Sequence, residues 1–163
     1  EAVLAMQFLE NAVLFFVGDG DVIPVLKQMV EQYNVVEKVY FVGKKPYLEM
    51  MNYTFHADLG LTLDKDTNLN YRFSLPNKVF DYMHTQTPIL ASDLIEVKKI
   101  VLGYSIGAVI TSHQPSDLAN DIRKIQENPA QLEQWKRNCE RASVQASWEG
   151  ETQILAQFYP RIV

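Results

Sequence analysis

The chain has 163 residues, of which 47% are hydrophobic and 21% are charged, and its formal net charge is −5 at pH 7. This length and composition predict one globular domain with its own core, and they exclude a disordered chain or a fibrous repeat. The acidic balance excludes a general attraction to nucleic acid, and the single cysteine, Cys139, excludes an internal disulfide and a cysteine-rich metal site.

The first half of the chain alternates between two sequence patterns. Apolar residues three or four positions apart, such as Val22, Val25 and Met29, are typical of one buried helix face. Short continuous apolar runs, such as the one that ends at Gly18, are typical of buried parallel strands. These patterns predict helices at residues 2–10, 22–33 and 46–55 and strands at residues 13–17, 39–43 and 57–63.

The second half continues this alternation and then becomes helical. We predict a loop at residues 64–72, helices at 75–85, 96–102 and 116–127, and strands at 88–91 and 107–110. The tail is predicted to be helical at residues 129–142 and 150–159, with Trp148 as a packing anchor between these helices. Strands separated by helices predict an α/β, Rossmann-like fold: a parallel sheet with helices on both faces, followed by a helical C-terminal tail.

The loops that follow the strands form the expected ligand-binding region, because ligands of such sheets bind beyond the carboxyl ends of the strands. Four segments follow predicted strands and are expected to meet at this edge, although they are far apart in sequence. They are residues 18–20 (Gly-Asp-Gly), 43–45 (Gly-Lys-Lys), 64–74 and 92–93 (Ser-Asp).

Residues 74–83, with the sequence SLPNKVFDYM, are the most informative segment of the chain. Pro76 predicts a helix start, whose unpaired N–H groups and positive dipole end suit a phosphate. Asp81 follows about one turn later, where its carboxylate can accept hydrogen bonds from sugar hydroxyls. The alternative is that Pro76 only starts a helix and that Asp81 only stabilises its first turns.

The order and spacing of several segments carry a resemblance to a known family. These segments are FFVGDG at 15–20, VYFVG at 39–43, the helix and strand at 47–63, LPNKVFDYM at 75–83 and PILAS at 88–92. From Leu14 to its end, the chain resembles the C-terminal, nucleotide-sugar-binding half of a GT-B fold glycosyltransferase of the retaining group 1 type. The resemblance implies that residues 1–163 form a single donor-binding domain of a longer, two-domain enzyme.

The resemblance also implies roles for the two glycine turns. The turn formed by Gly18, Asp19 and Gly20 would lie near the diphosphate of the donor. The turn at Gly43 and Lys44 would border the nucleobase. For the lysines of this second turn, simple exposure to solvent is the alternative interpretation.

The family's paired acidic motif maps onto Phe73 and Asp81. Asp81 stands at the second position, which contacts the ribose hydroxyls, and is one methylene shorter than the usual Glu. The first position, near the donor sugar, falls at Phe73, which cannot accept a hydrogen bond. Asp64, Asp66 and Arg72 in the preceding loop are the residues that could compensate.

Arg72 and Lys78 are the local basic residues predicted to face the donor phosphates. The predicted substrate-binding residues are Gly18, Asp19, Gly20, Gly43, Lys44, Arg72, Ser74, Leu75, Pro76, Asn77, Lys78 and Asp81. No catalytic residue is assigned. The resemblance implies no metal and no cofactor beyond the nucleoside-diphosphate sugar, which is the donor substrate.

By this resemblance, the chain is the donor-binding half of a glycosyltransferase that transfers a sugar from a nucleoside diphosphate to a glycan, lipid or other acceptor. Its partners would be the donor and the acceptor-binding N-terminal half of the same protein, with no nucleic acid. Because Glu1 lies within a helical pattern, we expect a fragment that is inactive alone. A cytoplasmic location is predicted, with peripheral contact at the inner face of the membrane as an alternative for the full protein.

The sequence leaves two other functions open. One is a sugar-nucleotide epimerase of the same fold, and the other is a noncatalytic flavodoxin-like module that binds a protein through the same edge. A dinucleotide-binding fingerprint is excluded because Ile23 stands three residues after Gly20, where that motif requires glycine. The tyrosines at positions 47, 53, 71 and 82 are interpreted as packing or rim residues.

Overall fold

A computed structural model of the protein describes residues 1–146 and Thr152. Within residues 1–146, every predicted strand is present. Trp148 and, apart from Thr152, the helix predicted at residues 150–159 lie outside the described residues.

The described strands are short and run parallel to one another. They are β1 (Leu14–Val17), β2 (Val39–Gly43), β3 (Gly60–Thr62), β4 (Ile89–Ala91) and β5 (Gly107–Val109). β4 lies between β3 and β5, and all three of its residues are buried, as its continuous apolar sequence predicts.

Helices connect successive strands, as parallel pairing requires. The described α-helices are α1 (Ala2–Ala5), α2 (Ile23–Gln32), α3 (Tyr47–Phe55), α4 (Leu69–Arg72), α5 (Lys78–His84), α6 (Ile95–Gly103), α7 (Pro115–Gln126) and α8 (Pro129–Gln145). Short 3₁₀ helices follow α1 at Met6–Phe8 and precede β2 at Val36–Lys38. The predicted α/β fold with parallel strands and helices on both sides is confirmed.

Two local predictions around the site were wrong. The segment predicted as a loop contains the one-turn helix α4, which begins because the Asn68 side chain accepts a hydrogen bond from the Tyr71 amide at 3.0 Å. Helix α5 begins at Lys78, not at residue 75, and Asn77 is its N-cap residue. Pro76 therefore lies before the helix, and its carbonyl accepts a hydrogen bond from the Val79 amide at 3.0 Å.

The described strands form two parallel sheets. β1 pairs with β2, whereas β3, β4 and β5 pair in that order. In the part of the chain that the structure describes, β1 and β3 each pair with a single neighbouring strand.

Two hydrophobic clusters hold these layers together. The first joins both sheets to the N-terminal segment and α7, and its buried members include Val39, Leu90 and Leu118. The second packs α5, α6 and α8 against β4, with Val79 and Cys139 fully buried. None of the described helices has the length and hydrophobicity that a membrane-spanning helix needs.

Candidate functional site

An open groove with a volume of about 600 Å³ lies between α3 and α5. Val79 and Met83, which are four residues apart on α5, are fully buried and anchor this helix to the core. The opposite face of α5 therefore borders the groove. The residues that line the groove are Tyr47, Met50, Met51, Asn77, Phe80, Asp81 and His84.

Asp81 is the acidic residue in the lining of the groove. Its Oδ1 atom accepts a hydrogen bond of 2.8 Å from the hydroxyl of Tyr47, the first residue of α3. This hydrogen bond is the largest of the causes that raise the pKa of Tyr47, and desolvation and the negative charge of Asp81 act in the same direction. No described residue forms a hydrogen bond or an ion pair with Asp81 Oδ2. One carboxylate oxygen is therefore held while the other keeps its acceptor capacity.

Backbone N–H groups that have no acceptor in the described part of the chain precede Asp81. The amides of residues 79–81 donate to the carbonyls of Pro76 and Asn77, at 2.9–3.1 Å. The amides of Leu75, Asn77 and Lys78, in contrast, donate to no described residue. Since Asn77 and Asp81 both line the groove, donors for an anion and an acceptor for hydroxyl groups lie on the same short stretch of chain.

The two basic residues predicted to face phosphate are ion-paired within the chain. Lys78 Nζ lies 3.0 Å from Asp64 Oδ2, and Thr62 donates a hydrogen bond of 3.2 Å to the same oxygen. Arg72 Nε lies 3.0 Å from Asp66 Oδ2. The predicted compensation for Phe73 by loop residues thus involves aspartates that already have cationic partners.

The two predicted glycine turns are in direct contact. Gly18, which follows β1, donates its amide to the carbonyl of Gly43 at the end of β2, at 2.9 Å. Both residues have positive φ angles, +146° and +79°, which side-chain-bearing residues rarely adopt. Asp19 accepts the Gly20 amide at 2.8 Å. The structure therefore brings both turns together at the carboxyl ends of β1 and β2.

These turns do not themselves line the groove, but the chain connects them to it. From Gly43 the chain passes through Lys44, which is exposed and has no ion pair with a described residue, to Tyr47 at the groove. Lys45 pairs with Glu49 at 2.8 Å. Only four positions therefore separate the turn after β2 from the hydroxyl that binds Asp81.

The other predicted positions lie outside the groove. The Ser74 amide donates to the carbonyl of Tyr71 at 3.1 Å, and Phe73 is 56% exposed. Ser92, after β4, is buried and its hydroxyl has no hydrogen-bond partner among the described residues, whereas Asp93 pairs with Lys98 at 2.9 Å.

Some groove residues had no signal in the sequence. Met50, Met51, Phe80 and His84 were not predicted as site residues, and Tyr47 was interpreted only as a packing or rim residue. The four-residue spacing from Asn77 to Asp81 could have indicated which face of α5 borders the groove. No local sequence pattern, however, predicts that this face lies opposite α3. Among the described residues there is no group of three His, Cys, Asp or Glu side chains placed to hold a metal ion.

Solved structures share this fold. Sucrose-phosphate synthase from Thermosynechococcus elongatus matches with a TM-score of 0.80 and 22% identity, over 98% of this chain and 41% of that protein. HepE from Anabaena, in complex with UDP and glucose, matches with a TM-score of 0.79 and 17% identity, over 99% of this chain and 44% of that protein. A glycosyltransferase from Rickettsia africae has a TM-score of 0.76 at 11% identity, over 97% of this chain and 42% of that protein. The chain thus spans less than half the length of these proteins.

At such low sequence identities these similarities show the fold alone. The family is therefore established by a match of the sequence to a family model. No match was found among curated proteins. Residues 2–142, which include the groove and both glycine turns, match the family model described as glycosyl transferases group 1. This match covers most of the chain, and the protein therefore belongs to the group 1 glycosyltransferase family.

Proposed function

We propose that this chain is the donor-binding half of a glycosyltransferase that transfers a sugar from a nucleoside diphosphate to a glycan, lipid or other acceptor. One observation carries the proposal: Asp81 lines a groove about one turn after backbone amides that have no acceptor among the described residues. The amides suit the diphosphate, and the carboxylate suits the ribose hydroxyls. Membership of the group 1 family supports a transferase reaction.

The ion pairs of the loop are compatible with phosphate binding. The side chains of Lys78 and Asp64 are 40% and 31% exposed, and those of Arg72 and Asp66 are 47% and 44% exposed. Exposed pairs of this kind contribute only about 0–1 kcal/mol, so a diphosphate that carries two or more negative charges can replace the aspartates. Released Asp64 or Asp66 would then be available to the hydroxyls of the donor sugar.

The catalytic contribution of this half would be electrostatic. Negative charge grows on the departing diphosphate as the glycosidic bond to the sugar breaks, and amides with Lys78 and Arg72 would stabilise that charge. Because the chain spans less than half of the solved proteins that it resembles, the acceptor site is proposed to lie in another part of the enzyme. Closure of the two parts would align the acceptor with the donor and exclude water.

UDP is the first nucleotide to test, since the Anabaena HepE structures contain UDP or UDP-glucose. Isothermal titration calorimetry of the chain with UDP, GDP and ADP should give saturable binding of at least one nucleotide. Asp81→Ala should abolish or strongly weaken this binding. Asp58→Ala is the matched control, because Asp58 is an exposed carboxylate outside the groove and its removal should leave affinity unchanged.

Two results would overturn the proposal. If none of the three nucleotides binds, a noncatalytic module that recognises a protein becomes the better explanation. If a nucleotide binds equally well to the wild type and to Asp81→Ala, the donor site lies elsewhere on the molecule. A nucleotide that binds in an Asp81-dependent manner can then be offered as its sugar conjugates, which identifies the donor by affinity.

A further inference from the structure

The hydrogen bond between Tyr47 and Asp81 joins two distant segments of the chain. The tyrosine hydroxyl lies 2.8 Å from Asp81 Oδ1, and the two residues are 34 positions apart. Tyr47 follows the Gly43 turn by four residues, whereas Asp81 lies on the first turn of α5. The contact therefore connects the loop assigned to the nucleobase with the helix assigned to the ribose.

This contact has little structural value of its own. The Tyr47 residue is 59% exposed, so its hydroxyl can bond water equally well when Asp81 is absent. Tyr82 shows what a structural tyrosine looks like in the same helix pair: its ring packs against Gly60, and its hydroxyl donates to the Leu61 carbonyl at 3.2 Å. Tyr47 has no equivalent place in the core.

Its effect on Asp81 is geometric. A free carboxylate rotates about its last bond, and it accepts hydrogen bonds at both oxygens. With Oδ1 bound to Tyr47, that rotation is restrained, and Oδ2 keeps one direction at the wall of the groove. Restraint before the ligand arrives lowers the entropic cost of binding it.

We propose that Tyr47 is a positioning residue for nucleoside recognition: it holds Asp81 Oδ1 so that Oδ2 accepts hydrogen bonds from the ribose hydroxyls. This inference rests on the proposed function, in which Asp81 contacts the ribose. It makes Tyr47 a determinant of the preference for ribonucleoside diphosphates over analogues that lack the 2′ and 3′ hydroxyls.

The test compares two nucleotides on five proteins, one of which is the double variant Asp81→Asn with Tyr47→Phe. The tightest binder among UDP, GDP and ADP is titrated calorimetrically beside its 2′,3′-dideoxy analogue, with wild type, Tyr47→Phe, Tyr53→Phe and Asp81→Asn. Tyr53→Phe is the matched control, because Tyr53 is on the same helix and its hydroxyl makes no hydrogen bond to a described residue. The melting temperature of each variant verifies that it is folded.

The wild type should prefer the ribonucleotide by about tenfold or more, because hydrogen bonds to a charged acceptor are among the stronger ones. Tyr47→Phe should weaken binding of the ribonucleotide by roughly three- to tenfold and leave the affinity for the dideoxy analogue unchanged. Tyr53→Phe should change neither affinity. Asp81→Asn should show little preference for the ribonucleotide over the dideoxy analogue. Adding Tyr47→Phe to Asp81→Asn should not change either affinity further. A residue with a purely structural role would weaken both nucleotides equally.

The possible outcomes distinguish the role of Tyr47 from the proposed donor-binding function on which it rests. Failure of every nucleotide to bind the wild type overturns the proposed function. Binding with a ribose preference that Tyr47→Phe keeps in full overturns the role of Tyr47 and leaves the function intact. Binding with no ribose preference in the wild type overturns both the Asp81–ribose contact and the role of Tyr47.

Discussion

Replacement of Gly60 by Ala should destabilise the protein through a clash with Tyr82. A Cβ atom at Gly60 would lie 2.6 Å from Tyr82 Cδ1 and 2.7 Å from Cγ and Cε1, whereas real Cβ atoms essentially never approach closer than 3.0 Å. The ring must therefore move by about 0.4 Å or more. It cannot do so freely, because the hydroxyl of Tyr82 donates to the Leu61 carbonyl at 3.2 Å and the ring is largely buried.

We expect the free energy of unfolding to fall by about 1–3 kcal/mol, the usual cost of an extra methyl group in a packed interior. For a domain of this size, each kcal/mol lowers the melting temperature by about 2–4 °C, so a drop of roughly 2–12 °C is expected. Gly103→Ala is the matched control, since a Cβ atom there meets nothing within 4 Å. That substitution should be neutral or stabilising by up to about 1 kcal/mol.

Thermal unfolding and urea titration measure the stability of both variants. Repeating Gly60→Ala in a Tyr82→Leu protein tests whether the ring is the cause. In Tyr82→Leu the ring is absent, so Gly60→Ala should cost much less there than in the wild type. An equal cost in both backgrounds would show that Tyr82 is not the obstacle. A melting temperature like that of Gly103→Ala would refute the steric reasoning altogether.

Three further predictions concern the core. Gly107→Ala should cost about 3 kcal/mol or more, seen as a loss of folded protein in urea titration, because its Cβ would clash with the backbone of Ile89. Asp121→Ala should lower the free energy of unfolding by about 1–3 kcal/mol, because the carboxylate accepts the amide and hydroxyl of Thr111 at 2.7 and 2.9 Å; a melting temperature unchanged from wild type would contradict this. Burial raises the pKa of the Cys139 thiol to about 12, so it should not react with Ellman's reagent at pH 8 until urea unfolds the chain, and rapid reaction in buffer would oppose this.

The strands and most helices could be predicted because each depends on a pattern within one short segment. The apolar run before Gly43 predicted β2 with the bounds that the structure has, Val39–Gly43. The start of α5 could not be located in this way. Pro76 suits a first helical turn, but the chain turns through Asn77 before the helix begins, so the proline rule placed the start three residues too early.

In the site, too, a residue marked by its own segment could be predicted, whereas contacts between segments could not. Asp81 was selected from its own segment, and it does line the groove, although its ribose contact stays a prediction. The ion pairs of Lys78 with Asp64 and of Arg72 with Asp66 could not be predicted, because each depends on how the chain between β3 and α5 folds back on itself. Once α4 forms, it fixes where Arg72 projects, and the charge balance near the proposed phosphate site follows from that.

The sequence by itself determined the alternation of strands and helices, their order and the two glycine turns, since these depend on residues a few positions apart. The tertiary structure alone decided that the Gly18 amide meets the Gly43 carbonyl and that Tyr47 lies against Asp81. It also decided that the described strands divide into two sheets. Such contacts join segments tens of residues apart, and they depend on how whole helices and strands pack, which no local pattern encodes.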